Sequence, residues 1–265
     1  MNEPDDRPSI LTRQDGATIA YRRLSGKGPG VVFMTGFMSD MTGSKALALE
    51  DLCKARGQAY LRFDYRGHGA SSQAFKDGCI GDWADDAIQV LDRLTEGPQV
   101  LVGSSMGGWI MLLTALARPQ RIVGLVGIAP APDFTENLIW SELTAEQRKS
   151  LLAEGKIDVP SDYGEQPYVI TKRLIEDGRN HLLLDKTPLP IRVPLRIIQG
   201  MEDQDVPWDT ALMIQDAVES LDVDVTLVKK GGHRLSEPAD LARLTQTLAA
   251  LLDQLEAHQS THILR

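Results

Sequence analysis

The segment Gly103-Ser104-Ser105-Met106-Gly107 constrains this chain more than any other. It reads G-x-S-x-G, it follows the apolar run Val100-Leu101-Val102, and it precedes Trp109-Ile110-Met111-Leu112-Leu113. A buried strand, a sharp turn with serine at its tip and then a helix make a nucleophile elbow. Such a turn holds Ser105 in a strained backbone conformation, so the residues two positions to either side pack closely. Gly103 and Gly107 lack the Cβ that would obstruct them. Ser104 fails the same test, because Val102 and Met106 would flank it. Gly108 lets the helix approach the sheet more closely still. An ordinary Gly/Ser turn carries similar residues, so the elbow must be tested by its partners.

The rest of the chain supplies a suitable frame. Asp15-Gly16 marks a hairpin between Ile10–Thr12 and Thr18–Tyr21, and Gly26 to Gly30 reads as a glycine-rich loop. Strands and helices then alternate. Val31–Met34 is a strand, Ser44 to Arg56 a helix stopped by Gly57, and Tyr60–Phe63 a strand. Asp82 is expected to cap a helix with Asp85 and Asp86 in its first turn, ending near Gly97-Pro98. The elbow follows, then a strand over Ile122–Ile128. From Asp133 to Pro194 no strong strand pattern occurs. Thr144-Ala145-Glu146-Gln147 is a capping box, and a second helix is expected near Tyr168–Asp177. Leu195–Gln199 and Val223–Val228 are strands. Asp209–Leu221 and Leu241–Leu255 are helices.

This alternation predicts an α/β fold with a mainly parallel eight-stranded sheet and helices on both faces. Residues 1–132 and 195–265 form its core. Residues 133–194 form a small helical cap inserted after strand 6, where it can cover the elbow.

Composition narrows the setting. At 265 residues and 42% apolar content the chain can bury a sizeable core. A net charge of −9 argues against a nucleic-acid or anionic-membrane surface. No apolar run is longer than Trp109 to Leu113, which is too short to span a bilayer. Cys53 and Cys79 lack metal-ligand or C-x-x-C spacing, so two free thiols in a reducing compartment are expected. The start, Met1-Asn2-Glu3-Pro4-Asp5-Asp6, has neither an apolar h-region nor an Arg-rich character, and a cytoplasmic protein is expected.

A serine hydroxyl is a weak nucleophile and needs a base, which in turn needs an orienting carboxylate. After an elbow of this kind the acid comes next in the chain and the histidine last. His233, in Gly231-Gly232-His233, follows a strand, whereas His258 and His262 are expected in a polar, solvated C-terminal tail. The acid belongs to Gly200-Met201-Glu202-Asp203-Gln204-Asp205-Val206-Pro207. Asp203 sits at the bend and is preferred. Asp205 stands nearer the helix entry and is the alternative, with Glu202 third. The backbone N–H of Met106 and that of Phe37, in Thr35-Gly36-Phe37-Met38, are the expected oxyanion donors. His68, in the turn Asp64–Ser71, precedes the elbow and is read as a structural histidine.

Taken in order, the elbow, the Asp64–Ser71 turn, the Gly200–Pro207 loop and Gly232-His233 resemble the α/β hydrolase superfamily along nearly the whole chain. More narrowly, the chain resembles the branch of palmitoyl-protein thioesterases and mycophenolic acid acyl-glucuronide esterases. This rests on Arg62-Phe63-Asp64-Tyr65, Gly97-Pro98-Gln99, Gly103 to Trp109, Val206-Pro207-Trp208, Asp222-Val223-Asp224-Val225 and His233-Arg234. The resemblance implies a serine esterase or thioesterase with triad positions at Ser105, Asp203 and His233.

The expected function is therefore two-step hydrolysis of a small-molecule carboxylic ester or thioester through an acyl-enzyme, with no metal and no organic cofactor. Met38, Trp109, Trp140, Tyr168, Met201 and Trp208 are candidates for an apolar acyl pocket. Dehalogenases and epoxide hydrolases place Asp at the elbow, and Ser105 argues against both. A C–C bond hydrolase, a peptidase, a perhydrolase or a catalytically silent ligand-binding protein would keep the same residues.

Overall fold

A computed structural model describes residues 7–159 and 168–263, with side chains through His258. Met1–Asp6 and the His262 side chain therefore lie outside the described residues. The expected hairpin is present: β1 (Ser9–Thr12) pairs antiparallel with β2 (Thr18–Leu24), across a turn where Gly16 has φ +82°. The glycine-rich stretch after it is not a loop. It enters β3 (Lys27–Met34), which breaks register against β4 (Gln58–Phe63) between Lys27 and Val31. A Cβ on Gly26 would lie 2.4 Å from the Gln58 carbonyl carbon, so this glycine serves close backbone packing.

Between β3 and β4 runs α1 (Ser44–Arg56), which ends where Gly57 turns into the left-handed region at φ +62°. The next helix, α2 (Ile80–Leu94), starts at an N-cap of Cys79 and stops short of Gly97-Pro98. Asp82 lies inside its first turn and caps nothing. Asp86, expected in that turn, is one turn further on and wholly buried. Its carboxylate accepts the Arg66 backbone N–H at 2.8 Å and the Arg66 Nη2–H at 2.8 Å. A tertiary ion pair, not the helix dipole, thus sets the place of this acid.

The elbow follows as β5 (Gln99–Ser104) and α3 (Met106–Ala117), and then β6 (Ile122–Ile128). The insertion after β6 holds a helical turn over Thr135–Trp140, then α4 (Ala145–Glu154), β7 (Lys156–Val159), β8 (Tyr168–Thr171) and α5 (Lys172–Gly178). The capping box forms as expected, with Gln147 N–H donating to Thr144 Oγ1 at 3.2 Å and Thr144 N–H to Gln147 Oε1 at 2.9 Å. The insertion is not purely helical, because β7 and β8 pair antiparallel. Tyr168–Thr171 accordingly leaves the helix expected there, which begins only at Lys172. Strands this short gain their stability from pairing, which local periodicity does not report.

The chain returns through β9 (Leu195–Gly200), α6 (Thr210–Ala217), β10 (Val223–Val228) and α7 (Pro238–Ile263). The polar stretch holding His258 continues α7 and is not a tail. The eight-stranded sheet has the order β1-β2-β4-β3-β5-β6-β9-β10 and is parallel from β4 to β10. Its two faces carry separate cores. Trp83 and Leu91 of α2, Trp109 and Leu112 of α3 and Ile214 of α6 pack on one. Leu49 of α1 and Leu248 and Leu251 of α7 pack on the other. Helical crossovers on both faces bring the carboxyl ends of the parallel strands to one edge, where loops can converge.

Candidate active site

Ser105 stands between β5 and α3 with φ +54° and ψ −121°, a conformation costly for any residue with a side chain. Its surroundings hold it there. Its N–H donates to the Ile128 carbonyl at 2.9 Å, and its own carbonyl accepts from Gly108 at 2.8 Å and Ala131 at 3.1 Å. The glycines act as the sequence pattern required. A Cβ on Gly103 would lie 2.3 Å from the Gly107 carbonyl oxygen, and one on Gly107 would lie 2.1 Å from that of Met34. On Gly108 it would strike Pro130 at 2.5 Å.

Two loops from neighbouring strands meet Ser105. His233, after β10, has Nε2 2.9 Å from Ser105 Oγ and Nδ1 2.9 Å from Asp203 Oδ2. The ring is mostly covered and the Asp203 side chain is wholly buried. Asp203 Oδ1 accepts the backbone N–H groups of Asp205 and Val206, each at 2.9 Å, and Oδ2 accepts Gln199 Nε2–H at 2.9 Å. Asp205 and Glu202 share the loop, but the carboxylate that reaches the ring is that of Asp203. Asp203, Asp205 and His233 present possible ligand atoms within 4.8 Å of one another. Both ring nitrogens and both Asp203 oxygens are nevertheless already committed to hydrogen bonds.

A cavity of about 950 Å³ opens over Ser105 and His233. Phe37, Met38 and Met106 line it, as does Tyr168. Met106 is the first residue of α3, where a backbone N–H has no intrahelical acceptor. The Phe37 ring meets Phe75, Phe134 and Tyr168 edge-on at 4.7, 5.5 and 5.8 Å, which ties its loop to the insertion.

Four of the aromatic and Met candidates for the acyl pocket lie elsewhere. Trp109 is wholly buried behind the elbow, its Nε1–H donating to the His181 carbonyl at 3.1 Å. Trp140 is partly buried against the core between Arg148 and Arg179, whose guanidinium carbons lie 5.3 and 4.7 Å from its ring, and it does not line the cavity. Met201 and Trp208 are exposed and do not line the cavity. The apolar lining comes instead from Phe134, Leu138, Ile139, Leu143, Val159 and Ile170 of the insertion. Apolar residues in short helices and strands read equally as core, so no local signal marked them.

Polar residues also line the cavity: Thr42, Ser44, Lys45, Arg234 and Ser236. Lys45 Nζ–H donates to the Arg234 carbonyl. Burial, with the nearby Arg234 charge, pushes the Lys45 ammonium down to about 8. His68 is buried away from the cavity among Tyr65, Phe75 and Trp83, and burial pushes it down to about 4. It is not among the residues that line the cavity.

Residues 31–244 match the alpha/beta hydrolase family. The chain is similar to the mitochondrial palmitoyl-protein thioesterase ABHD10 of Bos taurus, at 44% identity over 93% of this chain and 80% of that protein. Among solved structures, alpha/beta hydrolase domain-containing protein 10 from mouse aligns with a TM-score of 0.87 and 41% identity, over 94% of this chain and 99% of that one. A putative hydrolase from Agrobacterium vitis S4 aligns with a TM-score of 0.89 and 38% identity, over 92% and 98%. The chain belongs to the alpha/beta hydrolase family. It is an enzyme of the class that cleaves carboxylic esters or thioesters.

The cytoplasmic expectation is corrected by the same comparison. The relatives from cattle, orangutan and human are all named as mitochondrial, which points away from the cytoplasm. The acidity of a few leading residues does not report a compartment. Among the described residues, no helix is long and apolar enough to cross a membrane.

Proposed function

We propose that the chain is a serine esterase or thioesterase in which Ser105, His233 and Asp203 form the catalytic triad. The observation that carries this reading is the His233 ring, bonded at 2.9 Å to Ser105 Oγ on one side and to Asp203 on the other. His233 Nε2 accepts the Ser105 proton as Oγ attacks the substrate carbonyl. Asp203 keeps the other proton on Nδ1 and stabilises the imidazolium. The Phe37 and Met106 N–H groups hold the oxyanion. The alcohol or thiol departs with the proton from His233, and water activated by the same ring hydrolyses the acyl-enzyme.

Residues 133–194 act as a cap on the core formed by 1–132 and 195–265. Phe134, Leu138, Ile139 and Leu143 would receive an apolar acyl chain, and the polar lining with Lys45 and Arg234 would face the leaving group. Met38 and Tyr168 contribute to the acyl site. A palmitoyl thioester, the substrate in the relatives' name, is a candidate of the right character.

Fluorophosphonate labelling of the wild type and of Ser105→Ala tests the nucleophile. Labelling should vanish in the variant, and kcat should fall by about 10⁶. A variant that keeps its esterase activity refutes the triad, and an unlabelled wild type favours a silent binding protein. A panel of p-nitrophenyl esters from about C2 to C16, with an acyl-CoA and an acyl-glucuronide, measures acyl and leaving-group preference.

A further inference from the structure

We infer that Gln199 is a positioning residue for the reaction at Ser105, acting through Asp203; the inference rests on the triad proposed above. Gln199 is the penultimate residue of β9 and is wholly buried. Its Nε2–H group donates to Asp203 Oδ2 at 2.9 Å and reaches the Val206 carbonyl at 3.2 Å. The second contact closes the acid loop back onto the strand from which it springs. The first sets a donor on the same oxygen that accepts His233 Nδ1–H.

Asp203 therefore receives two donors on each oxygen: Asp205 and Val206 on Oδ1, Gln199 and His233 on Oδ2. Three of the four belong to the strand and loop that carry it, so the carboxylate plane is set before the imidazole arrives. That plane decides which way the ring faces, and hence whether Nε2 meets Ser105. Gln199 also has an electrostatic effect. A donor on Oδ2 draws charge from that oxygen and weakens its hold on a proton at His233. An apolar side chain of equal size would keep the packing and lose both effects. A glutamate would set a second carboxylate against Asp203.

The test is the pH dependence of kcat/KM for Gln199→Met on a p-nitrophenyl ester. Without the donor, Oδ2 is more negative and favours the imidazolium, so the ascending limb should move to higher pH. The expected shift is roughly half a pH unit or more. kcat should fall about 10- to 100-fold with KM little changed, the scale seen when a supporting partner of a site residue is lost. Gln199→Asn keeps an amide in the strand but falls one methylene short of Asp203, and carries the same prediction. A limb unmoved in either folded variant overturns the inference. If neither variant folds, the wild-type protein decides by NMR. The Gln199 side-chain amide resonance must move with the titration of His233, and a resonance that stays fixed overturns the inference. Fluorophosphonate labelling of wild-type Ser105 runs beside these measurements. An unlabelled wild type sinks the triad itself, whereas labelling with an unmoved limb sinks only the role of Gln199.

Discussion

Gly200 and Gly231 touch backbone to backbone. A Cβ on Gly200 would lie 2.2 Å from the Gly231 carbonyl oxygen, and the Glu202 N–H donates to that same oxygen at 2.9 Å. This contact brings the acid loop after β9 against the histidine loop after β10. Gly200→Ala must force the two loops apart, because neither backbone can yield alone. A displacement near 1 Å at the His233–Asp203 bond is expected to lower kcat/KM by about 100-fold. Steady-state kinetics check this, with circular dichroism to establish that the variant folds.

If the proposed function holds, the insertion that lines the cavity is expected to set acyl length. Leu138 lies in its first helical turn and lines the cavity. Leu138→Trp should occlude the apolar end and leave Ser105 untouched. Activity on a C16 p-nitrophenyl ester is expected to fall at least about 10-fold, while the C2 ester changes by less than about 3-fold. Equal losses on both esters would show that the acyl chain runs elsewhere.

Asp133 anchors the same insertion. It is buried, has φ +61°, and its two oxygens accept the Leu183 and Leu184 N–H groups at 2.8 Å each. Burial raises its pKa, which those two bonds counter. Asp133→Ala leaves two backbone donors without their acceptor and should destabilise the protein by about 2–4 kcal/mol. Urea unfolding measures the loss. KM for long-chain esters should rise in parallel as the insertion loosens.

His68 makes stability depend on pH. In the unfolded chain it titrates near 6.5, whereas burial lowers it to about 4 in the fold. Between these values the unfolded chain binds the extra proton, so the contribution is complete above pH 6.5 and is lost as pH falls toward 4. Linkage puts the loss at about 3 kcal/mol across that window. His68→Asn removes this term and leaves the carboxylates in place. The difference in urea midpoint between pH 4.5 and pH 7 should therefore be smaller in the variant than in the wild type. An equal difference would mean that His68 takes up its proton without unfolding.

Much of the frame was legible because it depends on local chemistry. The strand-to-helix alternation, the Thr144–Gln147 capping box and the stop at Gly57 need only residue type and spacing. The β7–β8 ribbon was not legible, since its strands are short and are defined by pairing. Asp82 and Asp86 misled for a related reason. Acids at the start of a helix suit its dipole, yet Asp86 answers to Arg66 from a distant turn.

The candidate site divides along the same line. Ser105 could be singled out because its turn demands glycine at 103 and 107, a demand written within five residues. His233 and Asp203 could be placed by chain order along a parallel sheet. That order cannot say which carboxylate of the acid loop bonds the imidazole, nor that Gln199 bonds that carboxylate in turn. Nor could residue type separate the exposed Trp208 and the buried Trp109 from a pocket wall. Those matters are decided where the folded backbone brings particular atoms within about 3 Å, because hydrogen bonding and steric exclusion act over that range only. By itself the sequence determined the sheet, the elbow and the chain order of the candidate triad. The tertiary structure decided which atoms meet, and which side chains of the insertion stand over Ser105.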